Sequence, residues 1–398
     1  MHCKDQVLVI VQQDDNSVNA LVECDSNTRD VTSGAGAGLL YNAGVKSWDV
    51  IIVGGGIIGL SLAIALRKRG MKVLVVERGE PGREASYAAG GMLADSTLET
   101  LPALQPLATS SARMYPEFVH ELEVESGMNV DLRDQGAIVF DPPHVGERSG
   151  FTLTGSLPAP LAELEPALAD SGRPAAFLHE RSVDPRALAT AALKTAKKRD
   201  VDFSPGDAVT GVDLSDGRVI GVTTTKTSFR VAKVVNCAGA WAGQIAPHAF
   251  PTRPVKGQML YLAAPSRTLL KHVIRAPEVY LVPRSDGRIL VGTTVEEAGF
   301  DKRTDAATIQ RLRGAAIAMV PELRNAKILE DWAGLRPGTP DALPILGATA
   351  TPGYYVATGH FRDGILLAPV TAEAMAEVIV GGKCGYDLAP FSAMRFRN

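Results

Sequence analysis

The stretch from Asp49 to Glu77 constrains this chain more than any other. An apolar run, Val50-Ile51-Ile52-Val53, enters Gly54-Gly55-Gly56-Ile57-Ile58-Gly59; a helix-like stretch follows, and a second apolar run, Val73-Leu74-Val75-Val76, stops at Glu77. This is the pattern of a β-α-β unit that holds the ADP half of a dinucleotide. Gly54 permits the tight turn out of the strand, Gly56 lets backbone approach a pyrophosphate with no Cβ in the way, and Gly59 lets helix pack on strand. The helix N-terminus then faces the phosphates. Glu77 ends the second strand roughly 20 residues past the glycines, where a carboxylate accepts hydrogen bonds from both ribose hydroxyls and repels a 2′-phosphate. FAD or NAD fits this pattern; NADP does not. A second glycine-rich tract, Gly34-Ala35-Gly36-Ala37-Gly38, has no strand run entering it and reads as a flexible linker.

The 398 residues suffice for about two domains and a substantial core. A net charge of −3 leaves no basic surplus to attract nucleic acid or anionic lipid, so neither is an expected partner. The apolar runs are strand-sized, well short of the roughly 18 residues of a membrane helix. Cys3, Cys24, Cys237 and Cys384 are scattered without a CxxC, and residues 1–11 lack the n-region and cleavage site of a secretory signal. A soluble protein in a reducing cytoplasm is the expectation. The histidines form no HxH, HExxH or His/Cys cluster, so no metal is expected.

Residues 1–47 hold one strand-like run, Val7 to Val11, and read as a flexible leader, with a small fused module as the alternative. From Asp184, the run through Arg199 predicts an Asp-capped helix with Pro185 in its first turn and basic residues at its end. Strands are expected at 201–203, 208–213, 219–225 and 229–236, the last running into the small residues Cys237 to Gly243. Longer β-rich stretches at 258–262, 279–283 and 289–294, with a helix over 306–319, suggest a second, substrate-side domain. The helical region 98–128 and a strand at 136–140 would complete it. The expected division is a dinucleotide-binding domain of residues 48–95, 180–250 and 345–382, interleaved with a substrate domain of 96–179 and 251–344, and a tail of 383–398. The fold class is α/β.

Further blocks carry a resemblance. They are Gly82-Arg83-Glu84-Ala85-Ser86-Tyr87-Ala88-Ala89-Gly90-Gly91-Met92-Leu93, then Val234 to Trp241, then Trp332-Ala333-Gly334-Leu335-Arg336-Pro337-Gly338-Thr339-Pro340-Asp341, and finally Gly359-His360-Phe361-Arg362-Asp363-Gly364 through Pro369. With the first β-α-β unit they resemble, in order and over about residues 48–380, the FAD-dependent D-amino-acid oxidase superfamily, and within it the glycine oxidases of the ThiO type. The resemblance implies a glutathione-reductase-like (Rossmann-type) FAD domain with a mixed-sheet substrate domain, noncovalent FAD, a small amino-acid substrate, O2 as acceptor and a homo-oligomer, a tetramer in the family.

Carried over onto this chain, the resemblance places Gly54, Gly56, Ile57, Ile58 and Gly59 at the pyrophosphate turn and Glu77 and Arg78 at the adenosine, with Val209 on the adenine side. It places Ala85, Ser86, Gly90, Gly91 and Met92 along the flavin, with Gly239 close to the cofactor. His360, Phe361, Arg362, Asp363, Gly364, Ile365 and Leu366 would bring backbone amides at the start of the last helix to the flavin N1/O2 edge, where they stabilise reduced flavin. Arg336 would clamp the substrate carboxylate, Tyr280 would share that carboxylate, and Arg362 would shape the amine side. The activity implied is oxidation of glycine, sarcosine or small D-amino acids to the imine, with hydrogen peroxide formed and the imine serving thiamine thiazole synthesis. The alternatives are a D-amino-acid dehydrogenase that passes electrons to a quinone, and a noncatalytic FAD-binding subunit. Gly90 departs from the family, which often has alanine there.

Overall fold

Burial on both sides explains the two apolar runs, Val50 to Val53 and Val73 to Val76. Val50 and Ile52 of the strand Val50–Val53, with Val73 and Val75 of Val73–Glu77, join a core made with helices. Ile51, Val53, Leu74 and Val76 point the other way, into a second core. A strand covered on both faces has no polar alternation, which is why these segments read as continuous hydrophobic runs. The computed structural model describes residues 47–96, 100–142, 157–169 and 172–396. The expected leader strand, the Gly34 to Gly38 linker, Cys3, Cys24 and the beginning of the helical region at Leu98 lie outside the described residues.

The two opening strands are parallel neighbours in a six-stranded sheet of order Ile345–Ala348, Tyr354–Thr358, Val234–Asn236, Val50–Val53, Val73–Glu77, Asp202–Pro205. Its only antiparallel pair joins Ile345–Ala348 to Tyr354–Thr358. Helices Ile57–Lys68, Gln105–Ser126, Pro185–Lys198 and Ala368–Val380 pack together on one face. A three-stranded antiparallel sheet of Val209–Ser215, Arg218–Thr224 and Ser228–Arg230 covers the other. The Asp184 cap is realised: its Oδ1 accepts from the Arg186 amide at 2.9 Å and Pro185 opens the helix.

A seven-stranded mixed sheet runs in the order Ile328–Gly338, Arg253–Ala263, Arg288–Gly292, Tyr280–Pro283, Val273–Arg275, Ala137–Phe140, Ala175–Leu178. Only the pair Val273–Arg275 and Ala137–Phe140 is parallel. One face packs Leu260, Leu262, Ile289 and Val291 against Ile309, Leu312 and Ala316 of the helix Ala306–Met319. The other face carries Tyr261, Tyr280 and Trp332. The α/β class with a Rossmann-type layer and a mixed sheet is the one the sequence predicted.

Two expectations are corrected. The single strand expected at 229–236 is two strands in different sheets, because the chain bends at Ala232 to cross from the three-stranded layer, where Phe229 faces Val222, to the six-stranded one, where Val234 pairs with Ile51. The last helix starts at Ala368, with Pro369 in its first turn, so residues 361–367 form turns ahead of it. Beyond residue 383 the chain packs onto the body: Phe391 is fully buried in the helical core.

Gly59 has the least room of the fingerprint glycines. A Cβ there would lie 2.0 Å from the Gly54 carbonyl oxygen, while the Gly54 amide is tied to Val76 O at 2.8 Å. Gly59→Ala should therefore lower stability by about 3 kcal/mol through overpacking, measured by urea unfolding. An unchanged midpoint would contradict the close helix–strand contact.

Candidate active site

An elongated cavity of about 1050 Å³ runs from the ends of the six-stranded sheet to the inner face of the seven-stranded one. At its first end the helix Ile57–Lys68 begins at Gly56 with no side-chain cap, so its N-terminus is open toward the cavity. Gly54 has φ +106°, and a Cβ there would sit 2.5 Å from Cys237 O; Gly56 has ordinary φ, and only Ser86 Oγ, at 3.4 Å, would meet its Cβ. The first glycine is required by the turn, whereas the second leaves a bare stretch of backbone beside the first helical turn, where the Ile57 amide donates to Ser86 Oγ. A helix N-terminus lining a cavity in this way is suited to a pyrophosphate.

Glu77 is buried at the strand's end, its two oxygens accepting from the Gly55 amide at 2.7 Å and the Gly79 amide at 2.9 Å. Each carboxylate oxygen keeps a further lone pair for a ribose hydroxyl. Arg78 stacks over the Trp241 ring at 3.5 Å and pairs with Glu84 at 2.8 Å, and Val209 and Gly239 line the same end. Ser86 lines the cavity too, and its Oγ accepts from the Ile57 amide at 2.9 Å. These residues fit FAD: the bare backbone, the helix end and the terminal carboxylate match its diphosphate and ribose, and the same cavity is lined by Gly90, Gly91 and Met92 and by Arg336.

Midway, Ala85, Gly90, Gly91 and Met92 line the wall. Gly91 has φ +77°, and a Cβ would collide with Val183 O at 2.0 Å. The loop is fastened by Arg284, which is 1% exposed and donates to Gly90 O at 2.7 Å and Val183 O at 2.8 Å. Opposite, His360, Phe361, Arg362, Asp363, Gly364 and Ile365 line the cavity. The turn is pinned by the Phe361 amide donating to Pro337 O at 3.1 Å. Gly59 and Leu366 are the two expected cofactor residues that do not line it. Gly59 packs helix on strand, and Leu366 is buried in the helical core with its carbonyl accepting from Ser111.

The far end is built on the paired strands Arg253–Ala263 and Ile328–Gly338. Arg336 faces Val255 across this ladder and lays its guanidinium over Gly257, where a Cβ would come within 2.3 Å of Nη1. Nη2 donates to Thr293 Oγ1 at 2.9 Å and Nη1 to Thr294 O at 3.3 Å. Among the described residues no carboxylate forms an ion pair with it. Burial pulls its pKa down, Tyr280 opposes this, and the charge of Arg362 adds to the fall. A guanidinium nevertheless remains protonated at any working pH. Tyr280 pairs with Gly292 and lies over it, its hydroxyl next to Gly90. Burial raises its phenol pKa against the pull of the Arg336 charge, Thr293 and Arg284, so it is a neutral hydroxyl. The structure thus brings Arg336, Tyr280 and Arg362 to one cavity. Gly257, Arg284, Gly292 and Thr293 were not singled out in the sequence, where nothing marks them: each acts through a cross-strand or long-range contact.

The comparisons agree with this geometry. The family model described as FAD dependent oxidoreductase matches residues 49–378, and the chain belongs to that family. It is 36% identical over 365 residues to a bifunctional protein ThiO/ThiG of Trichormus variabilis, an alignment covering 88% of this chain and 55% of that relative. The chain therefore spans about half of that relative's length. It is 32% identical to hydrogen cyanide synthase subunit HcnC of Pseudomonas aeruginosa, over 88% of this chain and 97% of that one. The crystal structure of glycine oxidase from Geobacillus kaustophilus superposes with a TM-score of 0.83 at 30% identity, covering 89% of this chain and 100% of the other. The chain is an FAD-dependent oxidoreductase of the glycine oxidase type.

His360 is 2% exposed and shares a 3.1 Å hydrogen bond with Thr371 Oγ1; burial lowers its pKa to about 3. It is neutral and structural. Since the unfolded chain binds a proton below about 6.5 and the folded one does not, stability is full above that pH. It falls between about pH 6.5 and 3, by about 1.4 kcal/mol per pH unit for this one group. His360→Gln should remove that slope in pH-dependent unfolding; an unaltered slope would contradict the buried neutral assignment.

Proposed function

We propose that the enzyme oxidises glycine, and with it sarcosine or small D-amino acids, to the corresponding imine. The supporting observation is the Arg336 guanidinium, which is half-buried without a described carboxylate partner and lines the cavity beside Tyr280. A planar fork of N–H donors matches a carboxylate bidentately, and the neutral Tyr280 hydroxyl can donate to one of its oxygens. Held at two atoms, a small amino acid has its α-carbon fixed. Bound FAD would accept the hydride from that carbon and pass the electrons to O2 as hydrogen peroxide. No side-chain base has to remove the Cα hydrogen as a proton, because it leaves as hydride once the amine is neutral. Arg336 and Arg362 disfavour a cationic amine at this end and so assist its deprotonation. Water then converts the imine to glyoxylate and ammonia, unless a thiazole-forming enzyme takes it.

FAD is proposed to be noncovalent. Cys237, one of two described cysteines, lies beside the Gly54 turn with its thiol pKa pushed up by burial, and it stays a thiol. The open helix end, Glu77 and the loop held by Arg284 would retain the cofactor.

Glycine added to the aerobic holoenzyme should consume O2 and yield peroxide one for one. Turnover with an artificial dye but not with O2 would favour the dehydrogenase reading, to which the similarity to an HcnC subunit lends support. Flavin left unbleached by glycine, sarcosine and D-alanine without O2 would overturn the oxidation reading altogether. Arg336→Ala should raise the KM for glycine about 100-fold with FAD still bound, because a charge-assisted, desolvated contact is lost. Steady-state kinetics with unchanged KM and kcat would contradict the clamp.

A further inference from the structure

We infer that Thr293 is the positioning residue of the carboxylate clamp: its hydroxyl fixes the rotation of the Arg336 guanidinium. The inference rests on the reading of Arg336 given above.

Thr293 follows directly on the strand Arg288–Gly292 and lines the cavity. Its Oγ1 accepts from Arg336 Nη2 at 2.9 Å. The hydroxyl can in turn donate to Gln258 O or Thr294 O, each at 3.3 Å, and it also interacts with the Tyr280 hydroxyl. Its lone pair toward Arg336 is therefore set by the sheet. The adjacent Thr294 carbonyl takes Nη1 at 3.3 Å. The guanidinium rests on Gly257, so it can slide or rotate in its plane unless something stops it. Two acceptors on successive residues provide the stop. They consume one N–H on each terminal nitrogen, and the remaining donors are left for a ligand. Thr294 is itself anchored, its Oγ1 accepting from the Gln258 amide at 2.9 Å.

The arrangement separates affinity from chemistry. A guanidinium that is free to rotate still carries its charge but meets a carboxylate in the bidentate geometry less often. Loss of the hydroxyl should weaken carboxylate binding about tenfold, the scale of one hydrogen bond to a charged group. Once saturated, the substrate sits as before.

The test uses the FAD-loaded protein and acetate, read through the perturbation of the flavin absorbance, together with KM and kcat for glycine. Thr293→Val should raise the acetate Kd and the glycine KM about tenfold, with kcat within about threefold of wild type and FAD content unchanged. Thr293→Ser, which keeps the hydroxyl, should restore both. Thr293→Ala gives the same reading as valine should that variant not accumulate folded. The inference is overturned if the valine or alanine variant binds acetate as wild type while Arg336→Ala does not, or if serine is as impaired as valine. If Arg336→Ala also leaves acetate binding untouched, or acetate does not bind at all, the clamp reading fails and this inference with it.

Discussion

A half-buried positive charge without a described opposite charge is the constraint on which the far end of the cavity depends. Among the described residues the Arg336 guanidinium donates to the Thr293 hydroxyl and the Thr294 carbonyl and stands beside the Tyr280 hydroxyl, and desolvation of such a group is costly unless its donors are satisfied. In the proposed reading an anion entering the cavity offsets that cost. Placing the group requires a long ladder between Arg253–Ala263 and Ile328–Gly338, bare backbone at Gly257, and acceptors presented by the segment after Gly292. A single Cβ at Gly257 would displace the guanidinium.

The clamp lies on one sheet and the phosphate turn on another, so the distance between them has to be fixed by contacts across the two layers. Two arginines make such contacts. Arg284, at the end of the strand Tyr280–Pro283, holds the carbonyls of Gly90 and Val183. Arg186, from the helix Pro185–Lys198, makes a bidentate pair with Glu330 at 2.7 and 3.1 Å and stacks against Tyr87 at 3.8 Å and Trp332 at 4.4 Å. Planar, multiply donating side chains are suited to joining carbonyls, a carboxylate and rings from different elements. The loop along the cavity's middle is thereby fastened to the wall that carries Tyr280.

The phosphate end was legible in the sequence because it is local: strand, glycines, helix and terminal acid lie within Val50 to Glu77, and the periodicity of each piece survives in the fold. The capped helix at Asp184 and the helix Ala306–Met319 were legible for the same reason. Errors arose where the decisive partner is distant. The apolar character of 229–236 is continuous, but the two halves pair with Arg218–Thr224 and with Val50–Val53, so one run became two strands. The bond from the Ile57 amide to Ser86, 29 residues away in sequence, was not legible for the same reason. Arg336 and Tyr280 could be singled out by resemblance, yet the residues that support them could not: Gly257 and Gly292 look like ordinary strand glycines until the opposite strand lays a side chain across them.

The most direct measurement of the central claim is a crystal structure of the FAD-loaded protein with a small carboxylate such as acetate. The account predicts both carboxylate oxygens within hydrogen-bond distance of the Arg336 guanidinium, with Tyr280 Oη on one of them and the Thr293 contact retained. A carboxylate bound elsewhere in the cavity, or Arg336 swung away from Gly257 to another partner, would contradict it.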